Sequence, residues 1–190
     1  MNYFVTIFLL LGLAPLAAGT QTKAVNWKEE VKLSDGQIAI VERSENYRPV
    51  FEPGARGSGW LFMNERLRAT LPPSNRKIVW EARLEPIALD VAASGEIYLV
   101  AVVAEAAGRK EYAVPDGTNH VAFKYIENNQ WQRVPITSIP RELHPNLMVA
   151  TRRLFIEQRS TTDFVDLALK AKMDADPRID SRFRKWPTQQ

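Results

Sequence analysis

From Trp27 onward apolar and polar residues alternate with a period of two, the spacing of strands that bury one face. Val31, Leu33, Ile38 and Ile40 flank Ser34-Asp35-Gly36-Gln37. Asp-Gly suits the two positive-φ positions of a tight turn, which predicts a hairpin with Leu33 facing Ile38 and Val31 facing Ile40. Residues 44–59 are polar, carry Pro49, Pro53, Gly54, Gly57 and Gly59, and read as a long loop. A strand over 60–67 precedes the Pro72-Pro73 break. Ile78, Trp80, Ala82 and Leu84 then alternate with Val79, Glu81, Arg83 and Glu85, a half-buried strand. After Pro86, the residues Ile87, Leu89 and Val91 continue the inward pattern.

Ala93-Ser94-Gly95 turns the chain into 97–103, which is apolar on both faces and predicts a strand covered on each side. Loop 105–120 carries Gly108, Pro115 and Asp116-Gly117. A last hairpin joins 121–126 to 131–134 through Glu127-Asn128-Asn129-Gln130, since Asn tolerates left-handed geometry. This register puts Phe123 and Tyr125 with Gln132 and Val134, and Trp131 with Ile126, Lys124 and Arg133. Residues 147–156 suggest one or two short strands. Ser160-Thr161-Thr162-Asp163 resembles a capping box, and Phe164, Leu167, Ala168 and Ala171 mark one face of a helix ending before Pro177. The order predicts a mainly β fold at the margin of α+β: an antiparallel sandwich or open barrel of hairpins. Its β-rich domain spans 25–158, and one C-terminal helix, 160–176, packs on the sheet.

Residues 4–18 form an apolar run without a charge. At about 15 residues it is shorter than the roughly 20 a spanning helix needs, so 1–19 reads as a signal peptide with cleavage after Ala18 or Gly19. Ala24 is a less well centred cleavage point. An uncleaved membrane anchor and a buried N-terminal element are the alternatives. The predicted location is periplasmic or secreted, or membrane-anchored if the segment stays.

Composition narrows the chemistry. Of 190 residues none is Cys and two are His, which excludes a disulfide scaffold, thiolate metal sites and cysteine nucleophiles. His120, His144 and Asp116 do not make a metal shell, and no metal or cofactor is expected. Arg56-Gly57-Ser58-Gly59-Trp60 has its glycines at the wrong offsets for a nucleophile elbow. Glu81, Glu85 and Asp90 lie on adjoining strand segments, where Glu81, Arg83 and Glu85 read as one solvated strand face rather than paired acids. No catalytic residue is assigned. The net charge of +3 belongs to the tail, where Arg178, Arg182, Arg184 and Lys185 face Asp180 alone. The body's charges alternate, which argues against nucleic acid.

Two surfaces remain as binding candidates. Lys124, Trp131 and Arg133 share the outer face of the last hairpin and suit a protein or glycan partner; alternatively Trp131 is a core residue beneath the C-terminal helix. Tail residues Arg182, Phe183, Arg184, Lys185 and Trp186 mix cations with aromatics in an extended segment, 177–190, suited to an anionic surface. The alternative docks Phe183 and Trp186 on the sheet.

The segment Val121-Ala-Phe-Lys-Tyr-Ile-Glu-Asn-Asn-Gln-Trp-Gln-Arg-Val-Pro135, with Ile139-Pro140, Trp80-Glu81 and Gly95-Glu-Ile-Tyr-Leu, resembles a hairpin of small exported bacterial proteins of uncharacterised families. The likeness covers about residues 78–145, implies export and carries no activity. The combined expectation is an exported, non-catalytic envelope binding or accessory protein. Its rivals are a small hydrolase with a carboxylate or serine site in the loops 44–59 and 105–120, and an inhibitor or immunity-type partner presenting loop 105–120.

Overall fold

Glycines at positive φ set the pairing of two hairpins. Gly36 has φ 84° and Gly95 φ 82°, and each N–H bonds back three residues, to Leu33 and Ala92 respectively. Leu33 then donates to Gln37, and Ala92 to Glu96. Each is a three-residue loop in which a left-handed Gly forms the bulge. The computed structural model describes residues 22–51, 58–148 and 163–175.

Nine strands among the described residues form two sheets. β1 (Lys23–Lys32), β2 (Ile38–Phe51), β3 (Ser58–Leu71) and β4 (Arg76–Ala82) make an antiparallel meander, and β9 (Phe164–Val165) pairs parallel to β1, giving the order β4-β3-β2-β1-β9. The chain crosses at Arg83 and Leu84 into the second sheet, β5 (Glu85–Val91), β6 (Ile97–Val102), β7 (His120–Tyr125) and β8 (Trp131–Val134), also a meander. A short helix α1 (Ala106–Glu111) joins β6 to β7, and α2 (Leu167–Asp174) follows β9. Val31, Val41, Leu67 and Ile78 from the first sheet bury against Leu89, Leu99, Ala101 and Phe123 from the second. The expected mainly β architecture is present as two packed sheets, consistent with a sandwich.

The sheets differ in cover. β6 is buried throughout: Leu99 and Ala101 face the first sheet, while Tyr98, Val100 and Val102 pack under Ile139 and Leu143 of the segment after β8. This is the two-sided burial its composition predicts. The first sheet alternates buried and exposed residues, so its outer face meets solvent.

Two expectations are corrected. The hairpin register is Val31 with Ala39 and Lys32 with Ile38, one residue from the predicted pairing. A one-residue slip exchanges faces, so Ile38 and Ile40 point outward, 50% and 43% exposed. Most of the predicted loop 44–59 is strand, because β2 and β3 extend through Pro49 and Trp60, leaving 52–57 between them outside the described residues. The pairing shifts at Asn46 and Tyr47, adding Met63 as an extra residue. That bulge lets Phe62 and Glu65, three apart, both face inward, and Arg83 Nε donates to the Met63 carbonyl at 3.1 Å.

Loop 105–120 contains α1. Gly108 lies against β4's exit, where an added Cβ would stand 2.3 Å from the Arg83 carbonyl oxygen. Arg109 donates to the carbonyls of Pro115 and Thr118 at 2.8 and 2.9 Å, folding the loop on itself. The capping residue of α2 is Asp166, whose Oδ1 accepts from Leu169 N–H at 2.7 Å; Ser160 lies outside the described residues, as do positions 149–156 of the predicted strands. Phe164 belongs to β9 rather than to the helix. Leu169 of α2 packs near Trp27 and Val165, along the β1 side of the first sheet.

Candidate functional site

The hairpin residues singled out in the sequence separate into different tasks. Tyr125 pairs with Trp131, Phe123 with Arg133 and Lys124 with Gln132, again one residue from the predicted register. Trp131 therefore joins Tyr125, edge to face at 5.3 Å, and its Nε1 donates to the Val79 carbonyl at 2.8 Å. It is half-buried against β4, not beneath the C-terminal helix. Lys124 lies on the opposite face and pairs with Glu96. Hydrogen bonds from Lys124, Tyr98 and Ser94 hold the Glu96 carboxyl below its usual range. Arg133 donates to the Tyr112 carbonyl. The three side chains do not form one platform, and each is engaged within the fold. The tail residues Arg182, Phe183, Arg184, Lys185 and Trp186 lie outside the described residues.

The acids considered for hydrolysis are likewise dispersed. Glu81 is exposed and accepts from Asn64 Nδ2 at 2.7 Å. Glu85 and Asp90 are buried, contrary to the solvated face predicted for Glu85. Asp90 accepts the Ser34 N–H with both oxygens, at 3.1 and 3.2 Å, fastening the first hairpin turn to β5. His144 and Asp116 are exposed, and His120 opens β7 half-buried. No group of three or more His, Asp or Glu among the described residues is arranged to hold a metal.

Sequence reasoning missed a buried ionic cluster at one end of the sandwich. Strand alternation sends Trp27 and Glu29 of β1, Arg43, Glu45 and Tyr47 of β2, and Glu65 of β3 inward. Arg43 is the hub. Its Nε bonds Glu65, and its Nη1 reaches Glu29 Oε1 at 2.8 Å and the Met148 carbonyl at 2.7 Å. Its Nη2 reaches the Pro86 carbonyl at 3.2 Å, and its guanidinium lies 4.8 Å from the Trp27 ring centre. Glu29 Oε2 accepts from Lys170 Nζ at 2.7 Å and from Met148 N–H at 2.8 Å. Tyr47 donates to Glu45.

Burial and charge act differently on the two carboxyls that Arg43 holds. Burial would raise Glu29, but Arg43 and Lys170 outweigh it and hold the group below its usual range. For Glu65, burial wins: with Glu45 and Glu85 adding repulsion, its carboxyl lies well above the usual range despite Arg43. Glu65 Oε2 has no hydrogen-bond partner among the described residues. Glu29, Glu45 and Glu65 are at most 1% exposed, so the cluster joins β1, β2 and β3 to the 146–148 segment and α2 and presents no oxygen to a substrate. Alternation counted onward from Val41 marks Arg43, Glu45 and Tyr47 as inward; the loop assignment of 44–59 concealed it.

Among the described residues, one surface open to a partner is the outer face of the first sheet. Asn26 and Lys28 of β1, Glu42 and Ser44 of β2, and Arg66 and Arg68 of β3 line a groove of about 620 Å³. It adjoins a second groove of about 610 Å³ beside Ile38, Ile40, Thr70, Lys77 and Val79, and the two share Glu42 and Arg68. Lys28 pairs with Glu42 at 2.7 Å, and its hydrogen bond lowers the Glu42 carboxyl. Arg68, Lys77 and Lys32 have no ion-pair partner among the described residues.

No helix among the described residues is long and apolar enough to cross a membrane. No family model, curated protein or solved structure matches the chain.

Proposed function

We propose that this is an exported, non-catalytic binding or accessory protein that works through the outer face of its first sheet. The observation that carries this reading is the asymmetry of cover. The second sheet is packed on both faces along β5 and β6, while the first leaves Ile38 and Ile40 exposed beside Arg68 and Lys77. Exposed apolar residues gathered with unpaired cations are the make-up of an interaction surface. Export rests on the apolar N-terminal run; since β1 begins at Lys23, cleavage after Ala18 or Gly19 would leave the strand whole. The basic tail adds peripheral contact with an anionic surface.

Retention in the native host tests the reading. Tagged wild-type protein and an Arg68→Glu/Lys77→Glu variant are each fractionated between envelope and free pools after gentle lysis. The reading predicts that wild type is retained in a complex and the variant is released. Equal partition of both would contradict it.

A further inference from the structure

The groove on the first sheet has two chemically distinct halves. At one end lie Lys28, Arg66 and Arg68; at the other lie Ile38, Ile40 and Val79, with Lys77 at the margin. Arg66 and Arg68 are two apart on β3, so both project from one face, about 6.8 Å apart along the strand. The span from Ser44 to Ile38 on β2 is about 20 Å, the length of an extended segment of six residues. Arg66 forms a long ion pair with Glu81, Nε to Oε2 at 3.8 Å, and its side chain is 42% exposed; the Nε itself is buried and has no hydrogen-bond acceptor among the described residues. Arg68 lacks an ion-pair partner among the described residues, and the cations Lys28, Arg66, Arg68 and Lys77 outnumber the carboxylates of Glu42 and Asp163 that line the same two recesses.

We infer that the groove takes an extended acidic segment of a partner protein, with two carboxylates at alternate positions followed by apolar side chains. This rests on the binding reading above and names its partner class. In an extended chain, alternate residues face one way at the same spacing as Arg66 and Arg68, so a carboxylate pair can meet both guanidiniums, each by two parallel N–H bonds. The next inward side chains then cover Ile38, Ile40 and Val79. Other occupants fit less well. A second copy would bring the same excess of cations against itself. A polyanionic glycan or nucleic acid has no use for the isoleucine half, and Trp27, the one aromatic lining residue among the described residues, is 2% exposed and offers no face for sugar or base stacking. A bilayer offers mobile phosphates rather than two carboxylates fixed at the spacing of Arg66 and Arg68, about 6.8 Å along the strand.

Fluorescence anisotropy with the full chain tests this. The probes are a fluorescein-labelled peptide, ESESVSVS, and its charge-swapped twin, KSKSVSVS; phosphatidylglycerol vesicles and heparin serve as competing polyanions. The acidic peptide should bind and the basic one should not. Arg68→Glu should weaken the acidic peptide about tenfold or more, as loss of a charge-assisted bidentate contact implies. Ile40→Ser, which keeps the charge and adds no bulk, should weaken it by several fold, and Gln132→Glu on the second sheet should leave it unchanged. Circular dichroism confirms folding, and Lys77→Glu replaces Arg68→Glu if the latter unfolds. Equal binding of both peptides, no binding, or insensitivity to Arg68 and Lys77 overturns the proposal. Displacement by vesicles or heparin with no effect of Ile40→Ser would assign the face to lipid or glycan and overturn it too. If the acidic peptide fails while retention in the host still depends on Arg68 and Lys77, the partner class falls and the binding reading stands. If both fail, the reading falls as well.

Discussion

The indole Nε1 of Trp131 donates to the Val79 carbonyl across 2.8 Å, joining the last hairpin of one sheet to the edge strand of the other. The Val79 N–H is bonded by Asn129 Oδ1 at 2.9 Å, so two side chains from β8 and its turn replace the missing neighbour of β4. Such pairing blunts an edge that would otherwise invite another strand. On the far sheet Asn146 does the same for β5, accepting from Leu89 N–H at 2.9 Å and donating to its carbonyl at 2.8 Å.

Trp131→Phe keeps the ring and deletes the donor. It should lower stability by about 1 kcal/mol in urea unfolding, the net worth of one hydrogen bond. Asn129→Ala should cost at least as much, because Asn129 also holds φ 60°, a conformation Ala adopts poorly. The double variant should cost less than the sum, since both bonds serve one residue. Strictly additive losses would contradict a shared role.

Arg43 is the only cation bonded to both Glu29 and Glu65 among the described residues. Arg43→Met leaves two carboxyls buried beside an apolar side chain. The expected loss is about 3–5 kcal/mol, the usual penalty for breaking a buried ion pair from one side. A loss under about 1 kcal/mol, measured by thermal or urea unfolding, would show that the cluster is not holding the end of the sandwich.

Glu65 gives the stability a pH signature. Its folded carboxyl titrates well above the ordinary 4.5, so the folded state holds a proton that the unfolded chain releases. Its contribution is full below 4.5 and is lost as pH rises through the folded value. Glu29 is shifted the other way, so its contribution is present above 4.5 and lost as pH falls through its lowered value. Urea unfolding from pH 5 to 8 should show wild-type stability declining with a slope of up to about 1.4 kcal/mol per pH unit. Glu65→Gln should flatten that decline. Parallel curves would contradict a protonated Glu65.

Gly108 meets the Arg83 carbonyl so closely that a Cβ would stand 2.3 Å from the oxygen. Gly108→Ala must push α1 off the strand exit and should cost about 1–3 kcal/mol, as overpacking does. An unchanged melting temperature would mean that α1 is free to move.

Much of the fold was legible because its turns are written in residues that accept positive φ: Gly36, Gly95, Asn128 and Asn129. What sequence alternation could not supply was the number of residues each loop uses. A three-residue loop at 34–36 in place of a two-residue turn moves Ile38 and Ile40 from core to surface, and the same slip at the last hairpin parts Lys124 from Trp131. Pro and Gly between 44 and 59 suggested a loop, yet Pro49 sits within β2 and Gly59 within β3. That misreading hid Glu45 and Tyr47, and the slipped register, by turning Ile40 inward, hid Arg43. The exposed groove followed only from the corrected register, because Ile38 and Ile40 of its apolar half had been assigned to the interior.

Site-specific photocrosslinking in the native host tests most directly whether the outer face of the first sheet is the working surface. A benzophenone side chain is placed at Ile40 in the groove and, separately, at Gln132, exposed on the second sheet. The account predicts a discrete adduct from position 40 that disappears when Arg68→Glu is added, and none of matching yield from position 132. An adduct from position 132 alone, or none from position 40, would contradict it.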